Sequence, residues 1–250
     1  GSPSCPGKIS TSTICSSNIV FRRCLCVAFP SFGRSSPEEG DLFEGDIILD
    51  EEEDVYNALR SSSRKWPSGR VPYTVTGSLT SRERSTLNAA IADYNRFTCI
   101  RWVPKRSSDK AYVNIKKASS GCSSAVGRTG RAQTINLGRG CWNKGIVIHE
   151  MMHAIGFYHE QSRTDRDKYV TIMYDNIKSG KQGNFNKYDA NKISLLGMPY
   201  DYSSVMHYGG RAFSKNGKAT IVPKQRNARI GQRSGFSSLD YKKINKQYKC

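Results

Sequence analysis

From Arg70 the chain reads V-P-Y-T-V-T, alternating apolar and polar positions as a half-buried strand does. Thr80, followed three residues later by Glu83, is a capping box that opens a helix. Leu87, Ala90, Ile91, Tyr94 and Phe97 then recur at helical spacing. That spacing predicts an amphipathic helix of about 16 residues with its aromatic residues in the core. Strands are expected at 100–103, 111–116 and 133–137, and the intervening G-C-S-S-A-V-G-R-T-G-R reads as turn. Next comes a helix opened by Lys144 and Gly145. Its apolar positions Ile146, Val147, Ile148, Met151, Met152 and Ile155 surround it almost completely, as in a buried helix. Periodicity then fades. Residues 161–236 are dominated by Gly, Asn, Ser, Asp and Lys, with apolar islands such as Tyr169–Ile172. A last helix is expected over 238–249, where Leu239, Ile244 and Tyr248 share one side. The expected class is α+β: an N-terminal mixed sheet with two long helices, then an irregular C-terminal subdomain closed by a helix.

The buried helix carries polar cargo. Residues 149–159 read H-E-M-M-H-A-I-G-F-Y-H, which puts His149 and His153 one helical turn apart on a single face. Glu150 lies beside the first histidine, within reach of a metal-activated water without being a ligand. Gly156 permits the positive φ of a sharp helix exit, which lets His159 return as a third imidazole. Three neutral nitrogens leave a zinc coordination position open, the arrangement of a catalytic site. The plain alternative is a helix with two solvated histidines. Burying two histidines and a glutamate is costly unless something satisfies them, which favours the metal. A different H-E-x-x-H hydrolase needs a separate acidic third ligand, and Glu160 stands too near His159 to be one.

Charge changes the picture at the N-terminus. The 250-residue chain has a net charge of +18, yet residues 38–54 hold ten of its 21 acidic residues and no basic ones. From Asn57 onward 35 Lys and Arg face 11 Asp and Glu, a balance of +24. Such a field draws acidic partners, although scattered charges equally make a merely soluble basic surface. No nucleic-acid motif accompanies them, so no nucleic-acid partner is expected. Residues 38–56 read either as a solvated linker or as a removable segment that opposes the charge of the domain behind it. In the second case the tetrad Phe43-Glu44-Gly45-Asp46 offers a carboxylate to the open metal position. Residues 1–37 are Ser-, Pro-, Gly- and Cys-rich, with little regular structure expected.

No run approaches the ~20 apolar residues of a membrane span. Ile19–Pro30, the most apolar early stretch, is broken by Arg22 and Arg23 and makes a poor signal-peptide core. The chain starts Gly-Ser without Met, as an expression scar or truncated precursor would, so a missing leader says little. Eight cysteines suit an oxidising compartment. Cys5, Cys15, Cys24 and Cys26 precede the acidic stretch, with roles left open. Cys99, Cys122, Cys141 and Cys250 follow it, and three pairings of these four are possible.

The run from His149 to Asp167 resembles the extended signature of the astacin family of zinc endopeptidases, within the metzincins. S-V-M-H-Y at 204–208 resembles that family's Met-turn. The similarity extends from Trp66 to Cys250 through W-P-S-G-R-V-P-Y, four cysteine positions, P-Y-D-Y-S-S-V-M-H-Y and I-G-Q-R. Within the family the chain is most similar to fish hatching enzymes and related secreted members.

The resemblance implies a secreted zinc-dependent endopeptidase with one zinc per chain, made as a latent zymogen. His149, His153 and His159 would be the ligands and Glu150 the general base. Tyr208 would be a detachable ligand that stabilises the oxyanion, and Met206 a packing floor. Residues 1–56 would form the pro-segment, with 38–56 inhibitory through Asp46, and 57–250 the protease domain. A mature chain beginning at Asn57 would bury its amine near Glu160. Cys99–Cys250 and Cys122–Cys141 would be the disulfides. Arg233, in the I-G-Q-R segment, would face the side chain just after the scissile bond, with Arg211 a second candidate. Both imply a preference for acidic residues there.

The implied partners are protein or peptide substrates, acidic, extracellular-matrix or egg-envelope proteins among them, acted on by a monomer. Three features depart from the pattern, the four early cysteines being one of them. Arg131 stands where a second glycine is expected after Gly130, with an effect left open. Ser61-Ser62-Ser63 replaces the cysteine pair that hatching enzymes usually carry before Trp66. The rival reading from another class is a zinc-bearing but inactive binding module, against which the intact Glu150 speaks.

Overall fold

The computed structural model describes residues 36–49, 64–188 and 193–250. Asn57, Ser61–Ser63 and the four early cysteines, on which several expectations rest, lie outside the described residues.

A six-stranded mixed sheet supports the first half of the domain. Its strands are β1 (Ile47–Ile48), β2 (Arg70–Thr76), β3 (Arg101–Pro104), β4 (Tyr112–Lys117), β5 (Cys122–Ala125) and β6 (Ala132–Leu137), in the spatial order β1-β5-β6-β4-β2-β3. The β2–β3, β2–β4 and β4–β6 pairs are parallel, and β5 runs antiparallel to β6. Helix α1 (Ser81–Phe97) begins at the expected capping box: Thr80 Oγ1 accepts the Glu83 amide at 3.2 Å, and Glu83 Oε2 accepts the Thr80 amide at 2.8 Å. Its Leu87, Ala90 and Tyr94 enter the core beside Val71, Val113, Ile115 and Ile135. Phe97 departs from the expected core placement. It is 36% exposed and stacks on Tyr241, because the helix has by then run past the sheet.

Two strands answer to no apolar alternation. All four residues of β5 are buried, in the stretch that reads as turn. This strand is defined by backbone pairing on both sides and by the Cys122–Cys141 disulfide, and not by an amphipathic pattern. On its outer side it pairs in parallel with β1, where Ile47 faces Ser124 and Ile48 faces Ala125. The acidic stretch is therefore not a solvated linker over its described part. Glu38, Glu44 and Asp46 are buried, the last completely.

Helix α2 (Lys144–Ala154) is buried along its length, as its apolar positions require. Asn143 caps it, accepting the Gly145 amide at 2.8 Å. Three side chains from elsewhere bond its carbonyls: Tyr94 reaches Ile148 in mid-helix, and at the end Trp66 reaches Ala154 and Tyr248 reaches Ile155.

The second half contains the strands β7 (Val170–Ile172) and β8 (Ile221–Pro223), paired antiparallel, several single-turn 3-10 helices and the closing helix α3 (Ser238–Tyr248). A second core of Val170, Ile177, Phe185, Tyr200, Tyr208, Phe213 and Ile221 fills it. Among the described residues the disulfides are Cys99–Cys250 and Cys122–Cys141. Among the described residues no helix is long and apolar enough to cross a membrane.

Candidate metal centre

His149 and His153 project from the same face of α2. The helix ends at Gly156, whose φ of 102° only glycine adopts readily, and whose amide closes the turn on the His153 carbonyl at 2.7 Å. The chain turns back, and His159 arrives beside the helical pair. His149 Nε2 lies 3.1 Å from His153 Nε2 and 3.3 Å from His159 Nε2. All three rings are buried.

Their far nitrogens fix the tautomers. Nδ1 of His149 donates to the Val205 carbonyl at 2.8 Å, and Nδ1 of His153 to the Phe157 carbonyl at 2.7 Å. Nδ1 of His159 meets a carboxylate oxygen of Glu44 at 2.7 Å. A ring whose Nδ1 carries the proton has a bare lone pair on Nε2. Three such lone pairs therefore converge, which is unfavourable without a cation among them. Asp46 completes the group, its oxygens 3.1–3.5 Å from the three Nε2 atoms. Tetrahedral zinc with nitrogen ligands at about 2.0 Å requires donors about 3.3 Å apart. The spacing and the chemistry of these donors fit that ion.

The electrostatics call for a positive charge among these groups, which a proton on His159 supplies when no metal does. Burial alone would raise the Asp46 carboxyl, but His159 and His153 hold it well below the usual range. Burial would lower His159, yet Asp46 and Glu44 push it up to about 9. Burial takes His149 down to about 4. Glu150 is fully buried and neither of its oxygens has a partner in the protein. Burial, then the charges of Asp46 and Glu38, push its carboxyl well above the usual range. A buried carboxyl group with no partner in the protein, beside three converging imidazoles, is placed where it could exchange a proton with a bound ligand.

The turn containing Met206 lies next to the histidines. Asp240 of α3 shapes it, accepting from Ser204 Oγ at 2.6 Å and from the Val205 amide at 2.9 Å. Met206 is buried in the first core, and its carbonyl accepts the Glu160 amide at 3.1 Å. Glu160 is buried between Lys243 at 2.6 Å and Arg163 at 3.3 Å. It opens on a cavity of about 410 Å³ that Lys65, Tyr158, Arg163 and Gln247 also line. The Tyr208 ring packs on His159, with centroids 4.6 Å apart, and its hydroxyl donates to the Glu44 carbonyl. His207 faces elsewhere, bonded to Tyr200 and lowered to about 4 by burial.

Arg233 runs alongside α2. Gly145 permits the approach, since a Cβ there would meet the Arg233 carbonyl at 1.9 Å. The guanidinium is occupied by Glu38, with Nε at 2.7 and 3.0 Å from the two carboxylate oxygens. Arg211 is exposed on the turn leading to Phe213 and joins none of this. Arg131 precedes β6 with an exposed side chain, and its carbonyl accepts the Tyr112 amide at 3.4 Å. The structure thus brings together His149, His153, His159, Glu150, Asp46 and, one layer out, Tyr208. Reasoning from sequence missed Glu38, Glu44 and Ser162. Only the tetrad around Asp46 signalled that neighbouring acidic side chains could be anchored too.

Comparison with known proteins gives the family. The family model for the astacin peptidases matches residues 58–249. The chain is 48% identical over 228 residues to zinc metalloproteinase nas-15 of Caenorhabditis elegans, covering 84% of this chain and 40% of that protein. It is 51% identical over 194 residues to nas-13 of the same organism, covering 78% and 43%. The chain thus spans less than half the length of these two relatives. Among solved structures it is similar to high choriolytic enzyme 1, a hatching-enzyme zinc protease of the medaka Oryzias latipes. That match has 37% identity and a TM-score of 0.68, and covers 82% of this chain and 100% of that one. The nematode proteins thus share more identity with the chain than the fish enzyme does. The chain belongs to the astacin family of zinc metalloendopeptidases, with zinc as its cofactor.

Proposed function

We propose that this chain is the latent form of a secreted zinc endopeptidase that hydrolyses protein or peptide substrates as a monomer. The observation carrying the proposal is Asp46, seated with full burial against the three converging imidazoles. His149, His153 and His159 hold zinc, and Asp46 is the fourth donor while residues 38–56 remain attached. Zinc bound there supplies Lewis acidity, polarising the scissile carbonyl and easing deprotonation of water.

The protein's own residues do the rest. Glu150 takes the proton from the attacking water and returns it to the leaving amine. Tyr208, freed from the Glu44 carbonyl when residues 38–56, the acidic strap, depart, turns its hydroxyl toward the developing oxyanion. Met206 packs under the ligands and keeps the turn in place. Removal of the strap also uncovers β5 as an edge strand to which a substrate backbone can add. A new amine at Asn57 enters the cavity beside Glu160. Arg233, which holds Glu38 in the latent form, receives an acidic side chain just after the scissile bond. Arg211 is the reserve cation for that role. The basic domain favours acidic substrates, matrix and egg-envelope proteins among them. The two disulfides suit the oxidising extracellular compartment.

The test compares the untrimmed chain, the chain starting at Asn57, and Glu150→Gln in the trimmed form. Expected results are little hydrolysis by the first and full hydrolysis by the second. Glu150→Gln should keep its zinc and lose about 10²–10⁴-fold in rate. Asp46→Ala should leak activity before trimming. Equal activity of untrimmed and trimmed wild type would sink latency, and full proteolysis by Glu150→Gln would sink the assignment of the base.

A further inference from the structure

The three histidines differ in what holds their outer nitrogen. His149 and His153 donate Nδ1–H to Val205 and Phe157, backbone carbonyls of the protease domain itself. His159 instead leans on Glu44, which the acidic strap brings in from 115 residues away in sequence. Glu44 is held for this purpose on every side. Its second carboxylate oxygen accepts from Ser162 Oγ and its carbonyl from Tyr208 Oη. Its backbone sits at φ 45°, a left-handed conformation that a non-glycine residue adopts only under constraint. The side chain is 2% exposed.

A carboxylate on the outer nitrogen of a ligating histidine fixes the ring and makes its inner nitrogen a better donor. Removing such a partner typically weakens metal binding by about 10–100-fold. We propose that Glu44 is the positioning carboxylate of His159, so that the strap supplies the metal centre with two acidic groups: Asp46 on the ligand side and Glu44 behind the third histidine. The attached strap therefore tightens zinc as well as covering it, and its release leaves His159 the least supported of the three ligands. The inference rests on the assignment of zinc to the three histidines.

The experiment is zinc competition with a chromophoric chelator on the untrimmed chain. Glu44→Gln, whose amide can accept one hydrogen bond but carries no charge, should weaken zinc about tenfold, and Glu44→Ala more. Asp41→Asn, which removes an exposed ion pair of the same strap with Lys181, should leave the affinity unchanged. The loss from Glu44→Gln should persist, multiplicatively, in an Asp46→Asn background. In zinc-loaded protein with labelled histidines, the Nδ1 proton of His159 should move upfield in Glu44→Gln, while those of His149 and His153 stay in place. Unchanged affinity in both Glu44 variants would overturn the inference. So would a factor that vanishes in the Asp46→Asn background, since the effect would then run through strap docking. Wild-type zinc affinity in His153→Ala would instead defeat the three-histidine reading itself.

Discussion

The two halves of this domain are stabilised in different ways, and the capping boxes of α1 and α3 show the difference most plainly. In the sheet half, Thr80 and Glu83 bond each other's backbone amides at the surface, and strands such as β4 and β6 pack through alternating positions. In the second half, the box formed by Ser237 and Asp240 is built around a buried carboxylate. Asp240 also reaches out of its helix to hold Ser204 and Val205. Nearby, Arg163 binds Asp165, Glu160 and the carbonyls of Met198 and Pro199, while Arg166 binds the carbonyls of Gln161 and Phe185. One half is shaped by hydrophobic period, and the other by polar side chains that replace missing backbone ladders. Helix α2, which carries His149 and His153, lies where they meet.

The most severe test of that contrast is to cut the covalent tie between the halves. Cys99 follows α1 and Cys250 follows α3, at a sequence separation of 151. Chain-entropy reasoning gives about 5 kcal/mol for a loop of that size, and about 3 kcal/mol for the 19-residue separation of Cys122–Cys141. Replacing Cys99 and Cys250 by Ser should therefore lower the denaturation midpoint more than replacing Cys122 and Cys141. The reverse order would mean that the halves do not depend on each other as described.

Asp240→Ala comes next. It strands the Ser204 hydroxyl and the Val205 amide in the interior, at roughly 1–3 kcal/mol each before relaxation, and unpairs the half-buried Ser237 amide, so a loss of about 3–4 kcal/mol is expected. Burial raises the Asp240 carboxyl to about 6, against the pull of those donors. A folded-state value above that of free aspartate means that the folded protein binds the proton more tightly. This residue's contribution to stability therefore falls as pH rises from about 4 to about 6. The difference between wild type and Asp240→Asn, followed by urea denaturation across that window, should shrink as pH rises. A flat difference would show that the carboxyl titrates normally.

The same contrast explains what could be read in the chain. Strands β2, β3, β4 and β6, the Thr80 box and α1, α2 and α3 carry alternation, helical spacing or caps, and each falls within a residue or two of expectation. Strand β5 could not be read because its four buried residues show no alternation, and β1 because two isoleucines among carboxylates make no period. The histidine set was legible because its spacing is local. Glu44 and Glu38 were not, because their partners His159 and Arg233 lie more than a hundred residues away. Phe97 misled because helical phase says nothing about where a sheet ends.

Arg233 carries the contrast into specificity, since its carboxylate partner in this structure belongs to the strap. A desolvated arginine–carboxylate contact discriminates by about 2 kcal/mol, or some thirtyfold. Trimmed wild type should cleave peptides with Asp after the scissile bond faster than Ala counterparts by that order, and Arg233→Ala should lose the preference. Equal rates in wild type would remove it, and a preference surviving in Arg233→Ala would pass the role to Arg211.

The smallest effect expected is at the other capping box. Thr80 and Glu83 are solvent-facing, so the Thr80 cap has water as a substitute acceptor, and Lys117 pairs with Glu83 at 2.8 Å near the surface. Thr80→Ala removes one hydrogen bond to an amide that water can reach, which costs about 1 kcal/mol. Glu83→Ala removes the reciprocal bond and a surface ion pair, of comparable or smaller size. Both should leave proteolysis by the trimmed enzyme unchanged, because α1 meets the metal helix through its apolar side, the Tyr94 hydroxyl and the Asp93–Lys144 ion pair, none of which involves Thr80 or Glu83. Asp240→Ala should lower activity as well as stability, because it releases the turn that positions Met206 and Tyr208. The contrast therefore predicts a split between two chemically similar boxes: stability alone for the exposed one, stability and turnover together for the buried one. Urea midpoints and kcat/KM measured on the three variants decide it, and a Thr80→Ala loss as large as that of Asp240→Ala would end the distinction.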